Sequence, residues 1–131
     1  KNLVKISKEN NIFNKIIWVK FSEHIKDLLN ISNVFVLPSK YEGFGIVFLE
    51  AMLTNTPVIS TNISAIPEII KNKYNGILIE PGNVKQMTAA LKNIQDEKLI
   101  KKFNINAKKL LSNKFNLKMM FKKTNNIYCS I

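Results

Sequence analysis

The sequence contains no arginine: all 20 of its basic residues are lysines. Proteins that read nucleic-acid sequence rely on the planar guanidinium of arginine to contact base edges and clamp phosphates, so its absence argues against that class. The net charge of +11 is also uneven, because residues 1–97 carry 11 lysines against 9 acids, whereas residues 98–131 carry 9 lysines and no acid. We therefore expect no nucleic-acid partner, and we assign the excess charge to the end of the chain.

Cysteine, histidine and long apolar runs are scarce as well. The single cysteine, Cys129, excludes an internal disulfide framework and favours a cytoplasmic location. The single histidine, His24, has no Cys or His at metal-binding spacing, which argues against a metal site. The longest uncharged stretch, residues 51–67, is interrupted by prolines, so the sequence predicts no membrane span. Its first residues also lack the apolar core of a signal peptide.

What is present is an alternation of strand-like and helix-like segments. Short runs rich in Ile, Val and Phe predict strands at 15–21, 34–38, 57–61 and 75–82. Helical spacing and composition predict helices at 22–30, 46–53, 66–70, 84–95, 97–112 and 116–128. This order is typical of an α/β protein with a doubly wound, Rossmann-like parallel sheet, flanking helices and a final run of helices. The continuous apolar run at 34–38 predicts a strand that is buried on both faces.

One loop of this predicted fold has the composition of a binding site. The segment PSKYEGFGIVFLEAM, residues 38–52, leaves a strand at its carboxyl end and enters a helix near Gly45. Ligands of doubly wound sheets bind beyond that end of the strands, and the N–H groups of a helix start bind phosphates. Glu42 and Glu50 would repel a phosphate, so they are expected to contact hydroxyl groups on either side of it. This layout matches a nucleoside-diphosphate sugar. The alternative is that the glycines only make a tight turn and both carboxylates are solvated.

Four segments together resemble a known family. VFVLPSKYEGFGIVFLEAM, PVIST, IPEII and NGILIEPGN follow the order of the donor-binding half of the retaining glycosyltransferases of family 4, which are two-domain GT-B enzymes. The resemblance implies that residues 1–131 form a partial nucleotide-sugar-binding domain, the carboxyl-terminal half of a GT-B enzyme whose acceptor domain is absent. It implies transfer of a sugar from a nucleoside-diphosphate donor to a glycan, lipid or other acceptor, with retention of configuration. The chain alone is then expected to be an inactive fragment.

The resemblance also implies a role for each matching residue. Glu42 corresponds to the catalytic glutamate that contacts hydroxyls of the donor sugar, and Glu50 to the glutamate that holds the ribose. The donor-binding residues are Gly43, Phe44, Gly45, Ile46 and Glu50. Ser39 and Glu68 are expected just behind them. Ser39 hydrogen-bonds either the loop, which it would brace, or the ligand, and Glu68 either lies near the site or caps and braces its own helix. No cofactor or metal is expected, since the sequence has no Asp-x-Asp pair and a helix terminus supplies positive potential.

Two other functions remain open at this level. The chain is either a non-catalytic nucleotide-sugar-binding module or remnant, or a lysine-rich surface-binding protein whose glycine loop is only structural. The lysine-rich tail is either the solvated face of the last two helices or a patch for an anionic membrane surface. The expected partners are a nucleotide-sugar donor and a glycan or lipid-linked acceptor. The expected location is the cytoplasm, with the inner face of the membrane as the alternative.

Overall fold

The computed structural model describes residues 2–129, and its strands form one parallel sheet. The strands are β1 (Phe35–Leu37), β2 (Val58–Thr61) and β3 (Ile77–Ile79), in the spatial order β1-β2-β3. Both pairings are parallel, with Phe35 opposite Val58 and Ile59 opposite Ile77. The parallel sheet predicted from the alternation of strand-like and helix-like segments is therefore confirmed.

The helices of the described residues agree closely with the predicted ones, apart from a first helix that the sequence pattern did not predict. They are α1 (Asn2–Glu9), α2 (Ile25–Asn30), α3 (Ile46–Leu53), α4 (Ile66–Ile69), α5 (Val84–Asn93), α6 (Glu97–Lys114) and α7 (Leu117–Tyr128). Asn55 adopts the left-handed conformation just after α3, with a φ of 59°, which suits its position at a helix end. Among residues 2–129, no helix is long and apolar enough to cross a membrane.

Helices cover both faces of the sheet, which makes it doubly wound. Because side chains alternate along a strand, Val58 and Ile59 of β2 point to opposite faces. The buried cluster on the Val58 face consists of Leu29, Phe48, Ala51, Met52, Val58, Ile66, Ile69, Ile70 and Ala107. The buried cluster on the Ile59 face consists of Ile59, Ile77, Ile79, Ala90, Ile94 and Phe103. The predicted α/β fold class, with flanking helices and a final run of helices, is confirmed.

The predicted strand at 15–21 is wrong. A short 3-10 helix, Phe13–Lys15, ends there, and the residues that follow pair with no strand among the described residues. Their side chains are largely exposed, by 91% at Ile17 and 83% at Phe21. A β-branched and aromatic composition supplies strand propensity but not a hydrogen-bonding neighbour. In the doubly wound strand order 3-2-1-4-5-6, β1, β2 and β3 correspond to strands 4, 5 and 6. The strand that directly precedes them in the chain is strand 3, which lies at the opposite edge of the sheet and pairs with none of them.

The surroundings of β1 also differ from the prediction. The strand is half-buried instead of buried on both faces, and among residues 2–129 it lies at the edge of the sheet. The preceding helix, α2, begins at Ile25 and is shorter than the predicted segment 22–30. Ser22 lies ahead of this helix, where its Oγ accepts a hydrogen bond from the His24 N–H at 3.0 Å. The first polar residues of that segment therefore form a turn that leads into α2.

Candidate functional site

The loop of the predicted binding site lies at the carboxyl end of β1. Residues 38–45 connect β1 to α3, and the loops after β2 and β3 leave the same edge because the strands are parallel. Two hydroxyls of β2 hold the end of β1 and the start of the loop: Ser60 Oγ donates to the carbonyl of Leu37, the last residue of β1, at 2.7 Å, and Thr61 Oγ1 donates to the Ser39 carbonyl at 2.6 Å. Ser39 is thus tied to β2 through its backbone carbonyl.

Sequence reasoning missed the role of these two hydroxyls. The signal was present, since Ser60 and Thr61 end an otherwise apolar strand and both are buried. Buried hydroxyls need hydrogen-bond partners, and a neighbouring strand end offers free carbonyls. The partners themselves lie more than twenty residues away along the chain.

Replacing Thr61 with valine keeps the shape of the side chain and removes this hydrogen bond. We expect the free energy of unfolding to fall by about 1–3 kcal/mol, because the Ser39 carbonyl loses its buried donor. Urea unfolding measures the change. Thr88→Val is the matched control, since Thr88 Oγ1 makes an exposed bond to the Val84 carbonyl within α5. Equal losses in both variants would contradict a special anchoring role for Thr61.

Gly45 is required by the packing of the protein itself. It precedes α3 as its N-cap residue in the left-handed conformation, with φ 80° and ψ 56°. A Cβ atom at this position would come within 2.5 Å of the Phe48 ring. That ring is fully buried and packs edge-to-face on Phe35, with ring centroids 6.1 Å apart. Both the backbone conformation and the space therefore restrict position 45 to glycine.

Gly43 has no such requirement. It does not adopt a positive φ, and a Cβ atom placed on it would meet no atom within 4 Å. The residue is exposed at the outer side of the loop. The packing of the described chain therefore gives no reason for a glycine at this position, and the space in front of its backbone is open.

The start of α3 has no side-chain cap, as is also true of α2 and α4, whereas α5, α6 and α7 each have one. Asn83, Asp96 and Asn116 precede α5, α6 and α7, and the side chain of each accepts a hydrogen bond from a backbone N–H of its helix. Gly45 precedes α3 and supplies no such side-chain bond. In the first turn of α3, the Phe48 N–H donates to the Gly45 carbonyl at 3.0 Å. The N–H groups of Ile46 and Val47 have no acceptor among the described residues, and they carry partial positive charge. An anionic group is the ligand that this helix start favours.

The two predicted carboxylates lie on either side of this helix start. Glu42 lies in the loop, and its Cγ is 3.3 Å from the position that a Cβ of Gly45 would take. Glu50 lies one turn into α3. Both residues are half-buried, and among residues 2–129 neither carboxylate forms an ion pair or a hydrogen bond. They are free to accept hydrogen bonds from a hydroxyl-rich ligand.

Glu50 borders two cavities. One, of about 360 Å³, lies between α2 and α3 and is lined by Ile25, Lys26, Glu50, Leu53 and Thr54. The other, of about 560 Å³, lies between α3 and α6 and is lined mainly by apolar side chains, with Lys108 among them. Sequence reasoning did not identify Lys26 or Lys108. No motif marks them, because both come from helices that approach α3 only in the folded chain.

The remaining predicted residues are placed around the same loop. Phe44 packs edge-to-face on Phe115 after α6, with ring centroids 5.9 Å apart, and Ile46 is exposed at the start of α3.

Glu68 lies in the first turn of α4, exposed, and its backbone carbonyl accepts a hydrogen bond from Lys114 Nζ at 3.3 Å. Its side chain makes no capping hydrogen bond among the described residues, so the expected cap is absent. Across residues 2–129, no group of His, Cys, Asp and Glu is placed to hold a metal.

Comparison with known proteins identifies relatives of this fold. The family described as "Glycosyl transferases group 1" matches residues 1–110. The chain is 30% identical over 118 residues to the Escherichia coli UDP-Gal:alpha-D-GlcNAc-diphosphoundecaprenol alpha-1,3-galactosyltransferase, a match that covers 90% of this chain and 30% of the relative. The C-terminal domain of a group 1 glycosyl transferase (LpcC) from Francisella tularensis is 32% identical, with a TM-score of 0.74, covering 88% of this chain and 62% of that one.

A further solved structure extends the likeness to the whole chain. HepE of Anabaena, in complex with UDP-glucose, has a TM-score of 0.88 at 22% identity, covering 99% of this chain and 36% of that one. At this identity the likeness shows the fold alone. The chain spans 30% of the length of its Escherichia coli relative, whereas the family match takes in most of the chain. The chain belongs to the family of group 1 glycosyl transferases.

Proposed function

We propose that this chain is the donor-binding part of a glycosyltransferase that moves a sugar from a nucleoside diphosphate to a glycan, lipid or other acceptor. One observation carries the proposal: Glu42 and Glu50, half-buried and without partners among residues 2–129, flank a helix start that has no side-chain cap. Two relatives support it, since the Escherichia coli enzyme is named for a UDP-Gal donor and HepE holds UDP-glucose.

Within this proposal each group has a role that follows from its chemistry. The diphosphate lies at the start of α3, where the backbone N–H groups stabilise the charge that develops on the leaving group. Glu42 accepts hydrogen bonds from the donor sugar, and Glu50 accepts them from the ribose, with the nucleoside in the cavity between α2 and α3. The contacting backbone is that of Gly43, Phe44, Gly45 and Ile46. We propose that this chemistry needs no metal or cofactor and that, as in family 4 GT-B enzymes, it retains configuration.

The open space at Gly43 supports the same arrangement. A ligand that approaches the backbone closely requires the absence of a side chain, and no contact within the described protein provides another reason for glycine there. Ser39 and Glu68 lie behind the contacting residues in this proposal, Ser39 in the tethered loop and Glu68 on the neighbouring helix that follows β2.

We also propose an acceptor and a location, which the name of one relative supports. The Escherichia coli relative is named for an acceptor in which GlcNAc is joined through a diphosphate to the lipid undecaprenol. A lipid-linked or glycan acceptor reached from the cytoplasmic face of a membrane fits that chemistry. Because the chain spans 30% of that relative, we propose that acceptor binding is supplied by residues outside this sequence and that the chain alone is inactive.

Calorimetry can test whether Glu42 contacts the donor sugar and Glu50 contacts the ribose. Glu50→Gln is expected to weaken binding of a nucleoside diphosphate by about 1–3 kcal/mol, because a charge-assisted hydrogen bond to the ribose is lost. Glu42→Gln is expected to leave the bare nucleotide almost unaffected and to weaken only the nucleotide sugar. UDP and UDP-glucose are suitable probes.

Two controls keep this experiment interpretable. Glu80→Gln removes a carboxylate from the loop after β3 and is expected to change neither affinity. Unfolding curves of all variants establish that the fold is intact. If Glu42→Gln weakened UDP and UDP-glucose equally, the assignment of Glu42 to the sugar would be wrong.

A further inference from the structure

The end of α6 contacts two elements of the candidate site. Phe115 directly follows α6, and its ring packs edge-to-face on Phe44 of the loop 38–45, with ring centroids 5.9 Å apart and an angle of 67° between the planes. Lys114 Nζ lies 5.3 Å from the centroid of the Phe115 ring and donates a hydrogen bond to the Glu68 carbonyl at 3.3 Å. The end of α6 therefore joins the loop after β1 to α4, the helix that follows β2.

The Phe115 ring is held on the body of the protein. The backbone N–H of this residue donates to the Leu111 carbonyl at 3.1 Å, and its side chain is half-buried against the cluster on the Val58 face of the sheet. Helix α6 is anchored in the core by Phe103 and Ala107, both of which are buried. A side chain with these restraints provides a fixed surface for a neighbouring ring.

The loop itself has few restraints between its two ends. It is tied at its start by the hydrogen bond between Thr61 and Ser39, and at its end by the first turn of α3. Between these points, residues 40–44 make no hydrogen bond and no ion pair with any described residue. A segment that contains glycine and lacks hydrogen bonds keeps much of its conformational freedom. The position of Phe44 therefore depends on its contact with Phe115.

We propose that Phe115 is a positioning residue for the nucleotide-sugar donor. By holding Phe44, it fixes the backbone from Gly43 to Gly45 next to the uncapped start of α3, where the proposed diphosphate lies. A loop that is already in its binding conformation loses less conformational entropy when a ligand binds, and its affinity is higher for that reason. This inference rests on the proposed function and adds to it a residue from the end of α6.

Amide hydrogen exchange of the ligand-free chain tests whether Phe115 holds the loop. Phe115→Leu keeps an apolar side chain and removes the ring pair, so we expect the amides of residues 43–46 to exchange about two- to twelvefold faster, the factor that corresponds to one edge-to-face pair. Phe115→Tyr keeps the ring and is expected to exchange like the wild type. Phe121→Leu is the matched control, since it removes an exposed ring of α7, and it is expected to leave these rates unchanged.

A double-variant cycle separates this contact from a general effect on stability. Phe44→Leu is expected to speed exchange in the loop as much as Phe115→Leu does, and the double variant no more than either single change, because both remove the same contact. The amide of Ile59, in the central strand, reports global unfolding. Additive effects in the double variant, or an equal rise in exchange at Ile59 and in the loop, would overturn the inference.

Calorimetry with UDP-glucose tests whether the position of the loop matters for the donor. We expect the affinity of Phe115→Leu to fall by about two- to twelvefold and by no more than the rise in exchange rate, since a loop that is competent for a smaller share of the time binds proportionally less tightly. Phe115→Tyr is expected to bind like the wild type. An unchanged affinity in Phe115→Leu would overturn the inference alone. A wild-type chain that bound neither UDP nor UDP-glucose would overturn the proposed function and this inference with it.

Discussion

Replacement of Gly45 with alanine is expected to lower the free energy of unfolding by about 2–6 kcal/mol, the sum of about 1–3 kcal/mol for a left-handed non-glycine residue and about 1–3 kcal/mol for an overpacked core. The Cβ atom would lie 2.5 Å from the Phe48 ring. This ring cannot move aside easily, because it is fully buried between Phe35 and the other residues of its cluster. Relief therefore requires a shift of α3 and of the loop before it. Urea or thermal unfolding measures the loss.

Gly43→Ala is the matched variant for this experiment. No atom lies within 4 Å of its added Cβ and its φ is not positive, so we expect stability to change by less than about 0.5 kcal/mol. If a nucleotide sugar approaches the backbone of Gly43, affinity for UDP-glucose is expected to fall in this stable variant. Equal destabilisation by the two alanines would contradict the structure of the loop. Unchanged affinity in Gly43→Ala would contradict the placement of the donor.

Assayed by itself, this chain is expected to produce no acceptor-dependent release of nucleoside diphosphate. Orientation of two substrates against each other supplies on the order of 7–11 kcal/mol of barrier reduction when it is fully realised. The proposed site holds only the donor, so that contribution is lost even if the donor binds.

A coupled assay for nucleoside diphosphate, with a panel of nucleotide sugars and with glycan and lipid acceptors, measures this. The same panel without acceptors gives the background hydrolysis. Sustained turnover that depends on an acceptor would show that the chain carries both substrate sites, and the proposal of a donor-binding part would then be wrong.

These experiments distinguish the residues that hold the shape of the loop from the residues that contact the ligand. Gly45 and Thr61 act on the shape of the loop, through the contact with Phe48 and the hydrogen bond to Ser39. Glu42 and Glu50 act on the ligand and have no bonds to lose within the described protein. Changes in the first pair are therefore expected to appear in unfolding curves, and changes in the second pair only in binding curves.

The sequence by itself determined the local features of this protein. Short β-branched runs and helical spacing predicted the parallel strands β1 to β3 and the helices α2 to α7 to within a few residues. The glycine loop between two glutamates placed the candidate site before α3. These features depend on interactions between residues that are near in sequence, namely backbone propensity, caps and side-chain periodicity, and such interactions can be read from the order of residues.

Only the tertiary structure decided the features that depend on distant neighbours. Residues 15–21 have strand composition but no adjacent strand, and β1 is half-buried at an edge of the sheet, both among the described residues. The need for glycine at Gly45 comes from the position of the Phe48 ring on the sheet, and the tether of the loop comes from Thr61. Strand pairing, ring contacts and buried hydrogen bonds join residues that are far apart in sequence, and local propensity carries no information about which distant residues will meet.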